Sequence, residues 1–115
     1  MLDNKTLSVI IPVYNEINTI EKVLEKIDSL VLNDYHKQII VIDDFSNDGS
    51  REYLKNEKRK KPDYIFLFHN ENYGKGRAIK TGLKHAKGKY TIIQDADLEY
   101  DPSNIPMLLN NAIKN

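Results

Sequence analysis

Four short apolar segments alternate with four amphipathic segments along the chain. The apolar segments are almost continuously hydrophobic and rich in β-branched or aromatic residues, which is typical of strands in a parallel sheet covered on both faces. They comprise residues 7–13, 38–44, 64–68 and 90–95. Because strands that alternate with helices form parallel sheets with right-handed crossovers, the pattern predicts the order β-α-β-α-β-α-β-α.

The segments between the strands have helical periodicity. In the first, apolar residues recur at steps of three and four from Ile17 to Leu30, which forms one apolar stripe. The last segment begins near Ser103, a suitable N-cap, and has Pro106 in its first turn. We therefore predict an α/β protein of three layers, α/β/α, with a mainly parallel sheet and a single domain over residues 1–115.

Composition narrows the class of protein. The 115 residues are enough for one compact domain, and 17 basic against 17 acidic residues argue against a broad nucleic-acid surface. The absence of cysteine excludes disulfides and cysteine metal sites and fits a reducing compartment. No segment resembles a signal peptide or a membrane span. We expect a cytoplasmic protein, or one at the cytoplasmic membrane face in its full-length form, that does not bind nucleic acid.

Polar residues cluster where each predicted strand ends. The clusters comprise residues 12–16, 43–49, 69–77 and 95–99. In open α/β sheets, ligands bind beyond the carboxyl ends of the strands. The four clusters together therefore predict a ligand site along one edge of the sheet.

Asp95-Ala96-Asp97 is the most specific of these features. Two carboxylates two residues apart at a strand end can flank one hard cation, and Mg²⁺ or Mn²⁺ shares such oxygen ligands with substrate phosphates. An Asp pair after a strand is also an ordinary turn or cap. Its position beside three other polar clusters favours the metal site, with Mg²⁺ or Mn²⁺ as cofactor.

Acidic and aromatic residues follow the first two strands. Asp43 and Asp44 end the second strand, where a carboxylate can accept hydrogen bonds from a base imide or ribose hydroxyls. Capping of the turn at Asp48 is the alternative. Tyr14 is suited to packing on a nucleobase and Glu16 to reaching a ribose, although a core-edge aromatic and a first-turn acid explain them equally well.

Residues 74–77 comprise two glycines and two cationic residues at the N-terminus of a predicted helix. Helix N-termini of this kind can bind phosphate. The segment matches neither a Walker A loop nor a dinucleotide fingerprint. Of its cations, Arg77 is the stronger candidate, because Lys75 is nearly as well explained as a solvated residue of a turn.

The ordered set of clusters resembles glycosyltransferase family 2, which has the GT-A fold. The matching stretches are residues 8–16, 40–50, 72–78, 88–90 and 94–102. The Asp-Ala-Asp-Leu stretch followed by Asp-Pro is most similar to the dolichyl- or polyprenyl-phosphate hexosyltransferases. The resemblance implies the Rossmann-like nucleotide-binding half of a metal-dependent enzyme. That enzyme would move a hexose from a UDP- or GDP-sugar to a polyprenyl phosphate, a glycan or another hydroxyl acceptor.

The resemblance also implies roles for individual residues. Donor-binding residues would be Pro12, Tyr14, Glu16, Val41, Asp43, Asp44, Arg77, Asp95 and Ala96. Among these, Val41 and Asp43 would contact the base and Arg77 would lie near the diphosphate. Asp95 and Asp97 would be catalytic and would hold the metal, with Glu99 as a further ligand where relatives often have Gln.

Two other classes of protein are compatible with parts of the pattern. A nucleotidyltransferase also has acidic residues on an α/β sheet. It is expected to carry a glycine-rich loop with Arg or Lys after the first strand, whereas residues 14–18 contain neither glycine nor a cationic residue. A non-catalytic flavodoxin-like or receiver domain could bind Mg²⁺ at residues 43–44. That class leaves residues 12–16 and 95–97 unexplained.

Members of the resembled family continue past residue 115 into acceptor-binding segments. We therefore expect a chain that is truncated at its C-terminus, carries the donor-binding half and has little or no activity alone. The fourth strand then presents an unpaired edge, which favours a homodimer through that edge or aggregation.

Overall fold

Four strands and four α-helices alternate in the computed structural model, which describes residues 4–114. The strands are β1 (Thr6–Val13), β2 (His36–Asp43), β3 (Ile65–Phe68) and β4 (Tyr90–Ile93). The helices are α1 (Ile20–Ser29), α2 (Ser50–Lys60), α3 (Lys75–Leu83) and α4 (Ile105–Lys114), the last preceded by a 3₁₀ turn at Pro102–Asn104. The predicted order of elements is confirmed.

One feature of the last helix differs from the prediction. Asp101, rather than Ser103, supplies the cap: its Oδ1 accepts a hydrogen bond from the Ser103 backbone N–H at 2.9 Å. The 3₁₀ turn then leads into α4, which begins at Ile105. None of the helices within residues 4–114 is long and apolar enough to cross a bilayer.

All four strands are parallel, in the order β3-β2-β1-β4. The central strands β1 and β2 end together, with Val13 opposite Asp43, so the loops that follow them start at the same edge of the sheet. Among the described residues β4 pairs only with β1, which confirms that β4 has an unpaired edge. The homodimer expected through that edge stays a prediction.

Helices cover both faces of the sheet, as predicted for a three-layer α/β/α protein. Buried residues of α1, α2 and α4 pack with Val9, Ile11 and Val13 on one face. On the other face Ala78 of α3 packs against Ile10 and the neighbouring strand. Because successive strand residues point to opposite faces, the unbroken apolar run of β1 serves both cores.

Gly82 lets α3 approach the second face closely. A Cβ atom at this position would lie 2.8 Å from Cγ2 of Ile10 and 2.9 Å from Cδ1 of Ile42, both of which are fully buried. A methyl group therefore forces the helix away from the sheet or the isoleucines out of their positions.

We expect Gly82→Ala to lower the free energy of unfolding by about 1–2 kcal/mol, because overpacking outweighs the gain of about 1 kcal/mol in helix propensity. Urea denaturation followed by circular dichroism measures the change. Gly76→Ala is the matched control in the same helix, since its Cβ would meet no atom within 4 Å. A Gly82→Ala variant as stable as the control would contradict the proposed close packing.

Candidate functional site

A cleft of about 450 Å³ opens at the carboxyl edge of the sheet. Seven of the predicted site residues line it: Pro12, Tyr14, Glu16, Asp44, Asp95, Ala96 and Asp97. Residues from the start of α3, among them Lys75, form part of the same wall. The structure therefore joins the polar ends of β1, β2 and β4 and the N-terminus of α3 into one site.

Serine hydroxyls of the loop after β2 and of the start of α2 hold the loop after β1. Ser46 Oγ accepts a hydrogen bond from the Asn15 N–H, and Ser50 Oγ accepts one from the Glu16 N–H, both at 2.9 Å. Asp48 Oδ1 in turn accepts from the Ser50 hydroxyl at 2.7 Å. These bonds hold the backbone at Asn15 and Glu16, and the Glu16 side chain lines the cleft.

Three residues of the site loops have a left-handed backbone. The φ angles of Asn15, Phe45 and Leu98 are 53°, 65° and 66°. Asn tolerates this region, whereas Phe and Leu adopt it at a cost of about 1 kcal/mol or more. The surrounding tertiary contacts therefore hold the loops after β2 and β4 in conformations that their own sequences disfavour.

Asp44 joins the end of β2 to the start of α3. Its carboxylate is buried and accepts hydrogen bonds from the N–H groups of Tyr73 (2.9 Å, Oδ1) and Gly74 (2.8 Å, Oδ2). Its Oδ1 also lies 2.8 Å from Nδ1 of His69, whose Nε2 is 2.9 Å from Oγ1 of Thr81. Asp44 thus shapes the loop that carries the N-terminus of α3 to the cleft, a role that its sequence position did not reveal.

Asp43 and Val41 lie behind the cleft rather than in it. Val41 is part of the hydrophobic core, and the Asp43 side chain is fully buried. Asp43 Oδ2 accepts from Arg51 Nη1 at 3.0 Å and from the Ser46 N–H at 3.1 Å. Its Oδ1 has no hydrogen-bond partner in the part of the chain that the structure describes. The predicted contacts of Val41 and Asp43 with a base therefore do not follow from this geometry.

Three carboxylates gather at the end of the cleft near β4. Burial and the charge of Asp97 raise the pKa of Glu16 above its usual value, with Asp95 adding to the effect. The Asp95 carboxylate forms an ion pair with Nζ of Lys75. This hydrogen bond and the nearby negative charges raise the pKa of Lys75. The cluster therefore attracts cations, and Lys75 supplies one.

Thr19 anchors the Asp95–Asp97 turn from the opposite side. Its Oγ1 donates to the carbonyl oxygen of Ala96 at 2.5 Å, and Thr19 is the residue that precedes α1. Ala96 itself is buried. The backbone between the two aspartates is therefore held by a contact 77 residues away in sequence, which local sequence patterns do not indicate.

Arg77 lies outside the cleft. It is exposed, and its guanidinium carbon is 5.1 Å from the centroid of the Tyr73 ring. Two residues along an α-helix are separated by about 200° of rotation, so Lys75 and Arg77 point in opposite directions. Of the two cations, Lys75 rather than Arg77 lines the cleft, and the predicted position of Arg77 near a diphosphate stays a prediction.

Two of the three predicted metal ligands fit a metal ion, and the third does not join them. Within residues 4–114 no three His, Cys, Asp or Glu side chains are arranged to hold a metal, so the predicted set of Asp95, Asp97 and Glu99 is not assembled. Glu99 is exposed outside the cleft, and its N–H donates to Asp97 Oδ1 at 3.0 Å. Asp95 and Asp97 do fit an ion such as Mg²⁺ that takes its other ligands from water and substrate phosphates.

Comparison with known proteins identifies the family. The sequence profile of glycosyl transferase family 2 matches residues 8–115. Undecaprenyl-phosphate 4-deoxy-4-formamido-L-arabinose transferases are similar: that of Aeromonas hydrophila is 37% identical over 97% of this chain and 35% of its own length. The one from Pseudomonas savastanoi is 35% identical over 91% of this chain and 32% of its own length. The chain thus spans about a third of the length of these relatives.

Solved structures extend the likeness to three dimensions. A mannosyltransferase from Pyrobaculum calidifontis, in complex with GDP-Man and Mn²⁺, superposes with a TM-score of 0.73 at 32% identity, over 94% of this chain and 31% of its own. A glucosyl-3-phosphoglycerate synthase from Mycobacterium tuberculosis, in complex with Mn²⁺, UDP and glucosyl-3-phosphoglycerate, superposes with a TM-score of 0.73 at 25% identity, over 94% of this chain and 39% of its own. The fold is therefore the Rossmann-like half of GT-A, and the chain belongs to glycosyl transferase family 2.

Proposed function

We propose that this chain is the donor-binding part of a metal-dependent enzyme that transfers a sugar from a UDP- or GDP-sugar to a polyprenyl phosphate. The observation that carries the proposal is the meeting of Asp95, Asp97 and Lys75 in one cleft with Tyr14 and Glu16. This arrangement joins a charged end suited to a diphosphate with an aromatic end suited to a nucleoside. We expect residues 1–115 to act as one domain.

The relatives support the substrate classes in the proposal. GDP-Man and UDP are bound in the two similar structures, which favours a nucleoside diphosphate sugar as donor. Because one structure holds guanosine and the other uridine, they do not distinguish between the two bases. The names of the similar sequences contain undecaprenyl phosphate, which favours a lipid phosphate over a glycan or another hydroxyl as acceptor. An enzyme with such an acceptor would act at the cytoplasmic face of the membrane.

In the proposed mechanism the residues of this chain orient the donor. The Tyr14 side chain, 44% exposed at the cleft, would pack on the base, with Pro12 beneath it and Glu16 near the ribose. The start of α3 and the Lys75 ammonium would face the diphosphate, whose charge increases as the sugar leaves. A divalent ion held by Asp95 and Asp97 would neutralise part of that charge.

Calorimetric titration of UDP and GDP in the presence of Mn²⁺ tests the proposal. We expect Asp97→Asn to weaken nucleotide binding at least tenfold, a loss of about 1.4 kcal/mol or more, because it removes a metal-binding charge. The variant keeps an oxygen that can accept from the Glu99 N–H, so the turn is preserved. Glu52→Ala, which removes an exposed charge of α2, is the control. Absence of binding by the unsubstituted chain would contradict the proposed function.

A further inference from the structure

Lys75 occupies a position that helix stability does not favour. It is the first residue of α3, and the first turn of this helix contains no acidic residue. A cation at this end is opposed by the helix dipole, whose positive end lies there. Its ammonium group instead pairs across the cleft with Oδ1 of Asp95, which follows β4. The ion pair with Asp95 across the cleft, and not the stability of α3, therefore explains why a lysine stands at this position.

The Lys75 ammonium holds one of the two carboxylates that fit a metal ion. Asp95 Oδ1 contacts Nζ of Lys75, whereas within residues 4–114 Asp97 Oδ1 accepts a hydrogen bond from the backbone N–H of Glu99 and forms no ion pair. A divalent ion and an ammonium group on the same carboxylate repel each other. A metal ion that binds at Asp95 therefore competes with Lys75 for this carboxylate.

Lys75 is able to move away from Asp95 without disturbing the fold. Its side chain is 59% exposed and sits on a flexible four-carbon stem. The neighbouring Gly74 and Gly76 leave open space, since no atom lies within 4 Å of where their Cβ atoms would be. A diphosphate in the cleft would meet the same wall, because Gly74, Lys75 and Ala78 all line it.

We propose that Lys75 is an exchangeable counter-ion of Asp95. Its ammonium group neutralises Asp95 while the cleft holds no donor, and transfers to the donor diphosphate when a divalent metal takes its place on the carboxylate. The inference rests on the proposed function, because it assumes a diphosphate ligand and a metal at Asp95. Its consequence is that metal alone binds weakly and that metal and nucleotide each strengthen the binding of the other, as linkage requires.

The exchange predicts opposite effects of one substitution on two ligands. Lys75→Met frees the carboxylate and removes the phosphate partner. It should therefore bind Mn²⁺ alone about fivefold more tightly than the unsubstituted chain, and UDP or GDP without metal about fivefold more weakly. Loss of free Mn²⁺ signal in electron paramagnetic resonance measures the first, and calorimetry the second. Circular dichroism checks that each variant is folded.

Two controls separate exchange from a general effect of charge. Lys80→Met removes the same charge from an exposed position of the same helix, and Lys75→Arg keeps the charge at the cleft. We expect both to bind Mn²⁺ within about twofold of the unsubstituted chain. Equal tightening in Lys75→Met and Lys80→Met, or no tightening in Lys75→Met, overturns the exchange.

The outcomes also distinguish this inference from the proposed function. An unsubstituted chain that binds UDP or GDP with Mn²⁺, together with unchanged Mn²⁺ affinity in Lys75→Met, overturns the exchange alone. An unsubstituted chain that binds neither nucleotide overturns the proposed function, and the diphosphate step of the exchange with it. Tighter Mn²⁺ binding confined to Lys75→Met, with weaker metal-free nucleotide binding, supports the exchange.

Discussion

Arg51→Met is expected to lower the free energy of unfolding by about 3–5 kcal/mol, because it leaves the Asp43 carboxylate buried without its cation. The Asp43 side chain is fully buried, and Arg51 Nη1 is 3.0 Å from its Oδ2. The same nitrogen donates to the carbonyl oxygen of His69 at 2.9 Å, so the substitution also frees a carbonyl next to β3. Urea denaturation followed by circular dichroism gives the free energy.

Two further variants identify the cause of the loss. Arg59→Met removes the same charge from an exposed position of α2 and should change the stability by less than about 0.5 kcal/mol. Asn in place of Asp43 removes the buried charge. Adding Asp43→Asn to Arg51→Met should therefore regain stability. A double variant less stable than Arg51→Met alone would show that the loss arises from packing of the arginine instead.

Asp44→Asn is expected to lower the free energy of unfolding by about 2–4 kcal/mol and to weaken nucleotide binding at least tenfold. The carboxylate accepts N–H bonds on both oxygens, from Tyr73 on Oδ1 and from Gly74 on Oδ2. An amide has only one oxygen, so its NH₂ group must face a backbone N–H or the side chain must turn away, and a buried donor loses its partner. The start of α3 then shifts relative to the cleft.

Denaturation and nucleotide titration at low temperature separate the two effects of Asp44→Asn. If the loop after β3 depends on this carboxylate, the folded variant binds UDP or GDP with Mn²⁺ at least tenfold more weakly, about 1.4 kcal/mol. Asp34→Asn, an exposed position in the loop before β2, is the matched control. Unchanged nucleotide affinity in folded Asp44→Asn would show that the position of Gly74 does not depend on Asp44.

The two predictions concern neighbouring residues with different partners. Asp43 and Asp44 follow one another at the end of β2, and successive residues of an extended chain point to opposite sides. Asp43 is therefore directed to Arg51 of α2, while Asp44 is directed to the loop before α3 and to the cleft. One carboxylate stabilises the scaffold and the other shapes the site.

Sequence patterns predicted the order of elements and the parallel sheet, and they indicated the edge of the sheet at which the cleft lies. Near-continuous apolar runs indicate strands buried on both faces, and a parallel sheet brings the carboxyl ends of all its strands to one edge. The aspartates at 95 and 97 line the cleft at that edge together with Pro12, Tyr14 and Glu16, and their roles stay predictions. The order of these motifs also indicated the family that the sequence profile identifies.

Contacts between polar groups that are distant in sequence depend on tertiary packing. Local periodicity orients a side chain relative to its own helix or strand, but not relative to groups far away in sequence. The choice of Lys75 over Arg77 depends on the rotation of α3 against the sheet, and the pairing of Lys75 with Asp95 on the crossover that returns the chain beside β1. The contact of Thr19 with Ala96 spans 77 residues and depends on the same crossover. Those long-range positions are set by packing of the two cores, which no local pattern encodes.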